Sequence, residues 1–158
     1  MQTQPAPATP PARSTVAPEK LNVIQKTLGN GLTVLLLERR GNPTVAINAF
    51  VKAGSRFDPE EKAGLANLTA RMLDEGTTTR TGLAIAQAID FVGGSLSTSG
   101  GYAGSTISAQ VLSKDLDLGL NLVADVVRHP VFDSAKVEDE KQKIVAEIKS
   151  SLENPPAR

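Results

Sequence analysis

The residues of this 158-residue chain that bear on chemistry gather in two helical stretches and at one helix end. In the first stretch Leu65, Leu68 and Met72 recur at helical spacing, which at roughly 100° per residue makes one apolar stripe. Asn67, Ala70 and Arg71 are expected together on the opposite side. Asn67 offers only a neutral amide oxygen, Ala70 can accept no proton, and Arg71 is a permanent cation rich in donors with no lone pair for a metal. In the second stretch Glu140 and Glu147 fall on one helix face, two turns apart. Taken alone, such glutamates are solvated charges. The single His, His129, precedes Pro130 at a helix end, where it reads as a partner of the helix dipole and not as a ligand. One imidazole rules out any site in this chain that needs two. The absence of Cys rules out disulfides, thiol catalysis and cysteine-held metals.

The elements that must position these residues follow from patterning. Leu21 to Thr27 and Leu32 to Glu38 are expected strands about the turn dipeptide Asn30-Gly31. Thr44 to Val51 is a third strand, so the beginning reads as an antiparallel meander. A helix is expected from Glu61 or Ala63 to Gly76, and another from Leu83 to Val92, stopped by Gly93-Gly94. Ser95 to Ser99 and Ala103 to Val111 form a second strand pair. Ser113 is an N-cap candidate for a helix with the stripe Leu116, Leu120, Val123 and Val127, which Pro130 ends. Asp133 or Ser134 caps a last helix with the stripe Val137, Ile144, Val145, Ile148 and Leu152, closed by Pro155-Pro156. The order β-β-β-α-α-β-β-α-α segregates strands from helices and predicts an α+β fold, an antiparallel sheet with helices packed on one face.

Composition narrows the function classes. The chain is 40% hydrophobic and 22% charged, ordinary for a soluble globular protein. Seventeen basic and seventeen acidic residues cancel, so nothing argues for nucleic acid or a membrane surface. Aromatics, at 3%, are too few for base stacking, no apolar run has the length of a membrane span, and Gly93-Gly94 is a helix stop and not a nucleotide loop. Residues 1–20, with Pro5, Pro7, Pro10, Pro11 and Pro18, read as a flexible leader or linker without the apolar core of a signal peptide. Leaders of this kind often follow a removed export signal, as in an exported protein, or link two domains, and the plainer reading is a disordered terminus. Residues 21–158 then form one domain. Its last helix is followed by no closing strand, so the C-terminal end reads as incomplete.

The stretch from Gly64 to Thr77 resembles the first signature of the M16 (pitrilysin/insulinase, processing-peptidase) family, G-L-A-H-x-x-E-H-M-L-x-x-G-T. Asn67 and Arg71 stand at the two His positions and Ala70 at the Glu position. Glu140 to Ile148 resembles the later segment E-K-x-x-V-x-E-E-I, whose Glu is the third zinc ligand and falls here on Glu147, at the family's spacing from Arg71. Further pieces follow in the family's order. Asn30 to Val34 resembles N-G-L-x-V, Lys52 to Arg56 resembles x-A-G-S-R, Gly93 to Leu96 resembles G-G-x-L-N, and the segment through Pro130 and Phe132 resembles D-x-x-x-x-P-x-F. Active members place N-A-x-T on an edge strand that binds peptide. Ser97 to Gly101 differs from that and reads as an ordinary hairpin.

The resemblance implies a LuxS/MPP-like metallohydrolase fold and a zinc site whose chemistry is gone. Asn67 and Arg71 are degenerate ligand positions, Glu147 is retained, Glu140 is a supporting carboxylate beside it, and no catalytic residue or bound metal is expected. Arg71 is expected to fill the space of the ion and to pair with Glu147 and Glu140, a guanidinium matching a carboxylate through two parallel hydrogen bonds. The family pairs like domains around a substrate chamber, so the implied partner is a homologous zinc-bearing subunit or fused half, with peptide as substrate. Part of an active zinc endopeptidase assembly and a purely structural core-protein-like subunit are the alternatives.

Overall fold

The computed structural model describes residues 22–39 and 41–153, and the proline-rich leader and Pro155-Pro156 lie outside the described residues. The described residues fall into two compact units, divided between Asn42 and Pro43.

In the first unit, β1 (Val23–Thr27) pairs antiparallel with β2 (Thr33–Leu37), Val23 opposite Leu37 and Thr27 opposite Thr33. The turn forms for the reason its sequence gives. Gly31 sits at φ 85°, where a side chain would be strained, and Asn30 Oδ1 accepts the Leu32 N–H at 3.1 Å.

In the second unit, β3 (Thr44–Val51), β4 (Ser95–Gly100) and β5 (Ser105–Leu112) form an antiparallel sheet in the order β3-β5-β4. The expected meander therefore stops at two strands. The hydrogen-bonded partner of β3 is β5, in register from Thr44–Leu112 to Val51–Ser105. Alternation explains which face is covered. Ser105, Ile107, Ala109 and Val111 are buried along β5, while Ser108 on the other face donates to Asn48 Oδ1 across to β3. Helices α1 (Leu65–Arg71), α2 (Gly82–Phe91) and α3 (Leu116–Arg128) cover the apolar face. The core there joins Leu73, Ile85 and Ile89 with Ile107, Val111, Leu122 and Val126. The α+β architecture with helices on one face of an antiparallel sheet stands as expected.

Local differences have local causes. The first helix is shorter than expected. A 3₁₀ turn occupies Glu60–Lys62, and Gly64 at φ 94° turns the chain before α1 begins. Asp58, six to eight residues back, caps α1 by accepting the N–H of Gly64 and of Ala66, each at 3.0 Å. Ser113 does not cap α3; its hydroxyl donates to the Pro43 carbonyl, and a 3₁₀ turn at Ser113–Asp115 leads into the helix. The buried stripe of α3 runs through Gly119, Leu122, Val123 and Val126, leaving Leu120 exposed. Gly119 explains the rotation. A Cβ there would lie 3.0 Å from Ile47 Cδ1 and 3.1 Å from Val111 Cγ2, so the helix meets the sheet along its smallest residue. Asp133, one of the two cap candidates, caps α4 (Ser134–Glu153) by accepting from the N–H of Ala135 and Lys136.

Candidate functional site: a guanidinium between two carboxylates

Helix α1 brings Asn67 and Arg71 to one side of the second unit, and α4 brings Glu140 and Glu147 to meet them. Arg71 Nη1 donates to Glu140 Oε1 and to Glu147 Oε1, each at 3.1 Å, and Nη2 donates to Glu147 Oε2 at 2.6 Å. The fork is bidentate on Glu147, and one nitrogen bridges both acids. Glu140 also takes Lys143 Nζ on its second oxygen at 3.0 Å. The pairing expected of Arg71 is therefore present with both glutamates.

Burial divides the two acids. The Glu140 side chain is 11% exposed and that of Glu147 57%. Lys143, with Arg71 behind it, holds the Glu140 carboxyl below the ordinary glutamate range despite its burial. Arg71 does the same for Glu147. The two carboxylates in turn raise the already high pKa of Arg71. All three groups stay ionised at neutral pH.

Asn67 is held differently. Its Nδ2 reaches toward the Gly100 carbonyl on β4 at 3.5 Å, a long contact. Helix and strand meet closely here, because a Cβ on Gly100 would lie 2.7 Å from Asn67 Cα. Ala70 departs from expectation. It lies within one helical turn of Asn67 and Arg71, as expected, but is fully buried, while Leu65 of the expected apolar stripe is exposed. The cause is that α1 is covered on more than one side, by the core through Ala70 and by α4 through Arg71.

Beside the ion pair lies an open concavity of about 430 Å³, walled by Asn67, Arg71 and Asp74 with Thr98, Gly100 and Glu140. Asp74 and Glu75 are both half-buried. Burial pushes the Asp74 carboxyl up, against the hydrogen bonds it accepts from its own backbone and from Thr98 Oγ1, the latter at 3.2 Å. Glu75 accepts from Lys136 of α4 both at its backbone oxygen, 2.5 Å, and at Oε2, 2.9 Å. Lys136, three residues into the last helix, carried no signal of its own beyond its spacing of four from Glu140.

A second polar cluster, around buried Asp125, also escaped the sequence reading. Its Oδ2 accepts from Thr77 Oγ1 at 2.8 Å, Thr79 Oγ1 at 2.9 Å and Arg80 Nη1 at 2.6 Å, and His129 Nδ1 lies 3.2 Å from Oδ1. Burial alone would raise this carboxyl, but the hydroxyls of Thr77 and Thr79, Arg80 and His129 together bring it down to about 2. The cluster fastens the Thr77–Arg80 turn to α3. His129 thus spends its ring on a carboxylate one turn back on its own helix. The available signal was Asp125 itself, the acid that opens the D-x-x-x-x-P-x-F resemblance.

The donor set does not suit zinc. Asn67 presents an amide, Arg71 a cation and Ala70 a buried methyl group, and Arg71 occupies both oxygens of Glu147. Among the described residues no group of three or more His, Cys, Asp or Glu is arranged to hold a metal ion. None of the described helices is long and apolar enough to cross a membrane.

A solved structure described as a peptidase M16 inactive domain from Pseudomonas fluorescens matches with a TM-score of 0.78 and 29% identity, over 85% of this chain and 33% of that one. The architecture is therefore that of part of an M16 peptidase domain. Residues 33–158 match the sequence model of the family described as Insulinase (Peptidase family M16), and the chain belongs to that family. Among curated relatives, an uncharacterized zinc protease of Rickettsia felis is 38% identical over 81% of this chain and 31% of its own length. A mitochondrial-processing peptidase subunit alpha of Solanum tuberosum is 30% identical over 92% of this chain and 28% of its own. The chain thus spans about a third of the length of the relatives it matches.

Proposed function

We propose that this chain is a non-catalytic M16 domain that pairs with a zinc-bearing homologue, as a separate subunit or a fused half, to complete a chamber in which peptides are processed. The observation that carries the reading is Arg71. Its guanidinium holds the carboxylate that would otherwise ligate the metal, while Ala70 leaves no side chain to activate water. The family membership and the likeness to an inactive domain support it, and the processing-peptidase relative, named as a subunit, supports the pairing. Zinc belongs to the partner in this reading, and the chain alone cuts no peptide.

Two measurements test it together. After dialysis against zinc and then against buffer, metal analysis is expected to find no tightly held zinc; one zinc per chain would overturn the reading. Co-purification from the native cell, with mass identification, is expected to return a homologue that retains H-x-x-E-H. A chain that returns no such partner and shows no hydrolysis would instead favour the purely structural subunit.

A further inference from the structure

Asn30 is followed by Gly31, and no other Asn of the chain precedes a glycine. An Asn side chain and the next peptide nitrogen can close into a five-membered ring, and glycine, without a Cβ, leaves that nitrogen open to add to Cγ. The turn contributes two features of its own. Asn30 Oδ1 accepts the Leu32 N–H at 3.1 Å, which holds the side-chain amide alongside the peptide it would join. The same bond draws electrons from Cγ and gives the oxygen a fixed donor for the negative charge it carries during addition. Both residues are exposed, and a Cβ on Gly31 would meet nothing within 4 Å, so no neighbour crowds the turn. One contact opposes reaction: the Gly31 N–H donates to the Leu28 carbonyl at 2.9 Å. That contact depends on the hairpin, and the hairpin is weakly held. It is a two-stranded pair in which no residue of β1 or β2 is buried and only Val34 is half-buried. A hairpin of this kind opens at little cost. The Asn30–Leu32 bond spans two residues and survives that opening.

We infer that Asn30 is a self-modification site, at which the chain converts its own amide to a mixture of isoaspartate and aspartate and so unlocks the β1–β2 hairpin. The inference stands whether or not the chain pairs with a zinc-bearing homologue. Once the bond to Leu28 opens, hydroxide removes the Gly31 amide proton and the nitrogen adds to Asn30 Cγ. The Cγ–Nδ2 bond then breaks, and Nδ2 leaves with a proton as ammonia, so that a succinimide remains. Water opens the ring. Cleavage between Cγ and the Gly31 nitrogen gives aspartate; cleavage between the Asn30 carbonyl carbon and that nitrogen gives isoaspartate, whose main chain runs through Cγ. Water enters, ammonia leaves, and nothing is oxidised or reduced. Isoaspartate adds a methylene to the backbone inside the turn and displaces the acceptor of the Leu32 N–H, so Thr27 and Thr33 lose their register. The chain also gains one negative charge, from a balance of seventeen basic against seventeen acidic residues. The other described asparagines lack these conditions. Asn22 precedes the β-branched Val23, and Asn42 precedes Pro43, which has no N–H. Asn48 lies within β3 and accepts from Ser108, while Asn67 and Asn121 lie within α1 and α3, where the next nitrogen is held in the helix.

The full chain is held at mildly alkaline pH in water enriched in heavy oxygen and then digested for peptide mapping, with isoaspartate read through methylation by a protein isoaspartyl methyltransferase. The expected result is heavy-oxygen uptake and isoaspartate at residue 30 alone, with an acidic shift of one charge in isoelectric focusing. The rate is expected to lie within roughly tenfold of that in urea, because so weak a hairpin protects little. Asn30→Gln, which would have to close a larger ring, is expected to abolish the shift. The chain has no Cys, so Gln25→Cys and Leu35→Cys, at cross-strand partner positions, can close the hairpin through a unique disulfide. Oxidation of that variant is expected to slow conversion by roughly tenfold or more, and reduction to restore it. Conversion in urea with none in the native chain overturns the inference. So does modification at Asn48 or Asn121 as fast as at Asn30, or a rate that the disulfide leaves unchanged; should the disulfide not form, the ratio of native to urea rates decides alone.

Discussion

Arg71→Ala tests whether the ion pair holds α1 and α4 together or merely decorates them. The substitution removes all three N–H···O contacts between Arg71 and the two glutamates. The carboxylates feel the loss unequally. Glu147, 57% exposed, rehydrates, so its share is small. Glu140, 11% exposed, keeps Lys143 on one oxygen and loses its partner on the other. A hydrogen bond to a charged group contributes about 1.5–3 kcal/mol, and a buried acceptor left short costs about 1–3 kcal/mol. The remaining Lys143 contact and the 32% exposure of Arg71 place the expected loss toward the lower end, about 1–2 kcal/mol. In a domain of this size that is a fall in Tm of about 2–8 °C. Urea melts at pH 7 read it directly, with a cycle through Glu140→Ala and the double variant. Coupling of about 0.5 kcal/mol or more is expected between the two positions. Lys141→Ala, which breaks the exposed Lys141–Glu138 pair, is the control and should stay within about 0.5 kcal/mol of the parent. Were Arg71→Ala to match that control, with no coupling to Glu140, the pair would contribute nothing and the reasoning would be wrong.

Three further outcomes are expected. Asp125→Asn removes a carboxylate whose folded value, about 2, lies below the ordinary 3.8; the stability it supplies is present above 3.8, is lost as pH falls toward 2, and amounts to up to about 2 kcal/mol. Melts of parent and variant at pH 7 and pH 2.5 should therefore differ by less at the acid end. Asp74→Asn should raise the Tm at pH 7, because its charged form is disfavoured by burial and the amide still accepts from Thr98; the gain should shrink as pH falls and the parent's carboxyl takes up its proton. Gly100→Ala places a methyl 2.7 Å from Asn67 Cα, a backbone atom that can move only with α1, so a loss of about 1–3 kcal/mol in a urea melt is expected.

The fold was legible where the signal is local. Asn30-Gly31 and Gly93-Gly94 turn the chain where a glycine at positive φ is needed, at Gly31 and Gly93, and Asp133 starts the last helix. It was not legible where a distant residue decides. The cap of α1 is Asp58, across a turn and a 3₁₀ helix, and the rotation of α3 comes from Gly119 meeting Ile47 and Val111 of other strands. Strand partnership failed for the same reason. β3 reads like the next strand of a meander, but its partner β5 lies beyond two helices and β4. At the site, Asn67, Arg71, Glu140 and Glu147 could be named because a frame of residues fixed their places. Asp125 and Lys136 could not, because an acid and a lysine on helices look alike whether they are solvated or clasped.

A guanidinium set between two carboxylates decides what the α1–α4 junction responds to. Its contacts weaken when charge is removed or screened. The charges nearly balance, Arg71 and Lys143 against Glu140 and Glu147, so little net field is left at the junction. Screening should also act unevenly. At physiological ionic strength the Debye length is about 8 Å, and it falls to about 3 Å at 1 M salt. Exposed Glu147 is reached by counterions, whereas Glu140 is shielded by the protein around it. Salt should therefore loosen the Glu147 end of the junction well before the Glu140 end. Acid reaches both, because a proton titrates the acceptor itself, so the junction should yield to pH more completely than to ionic strength.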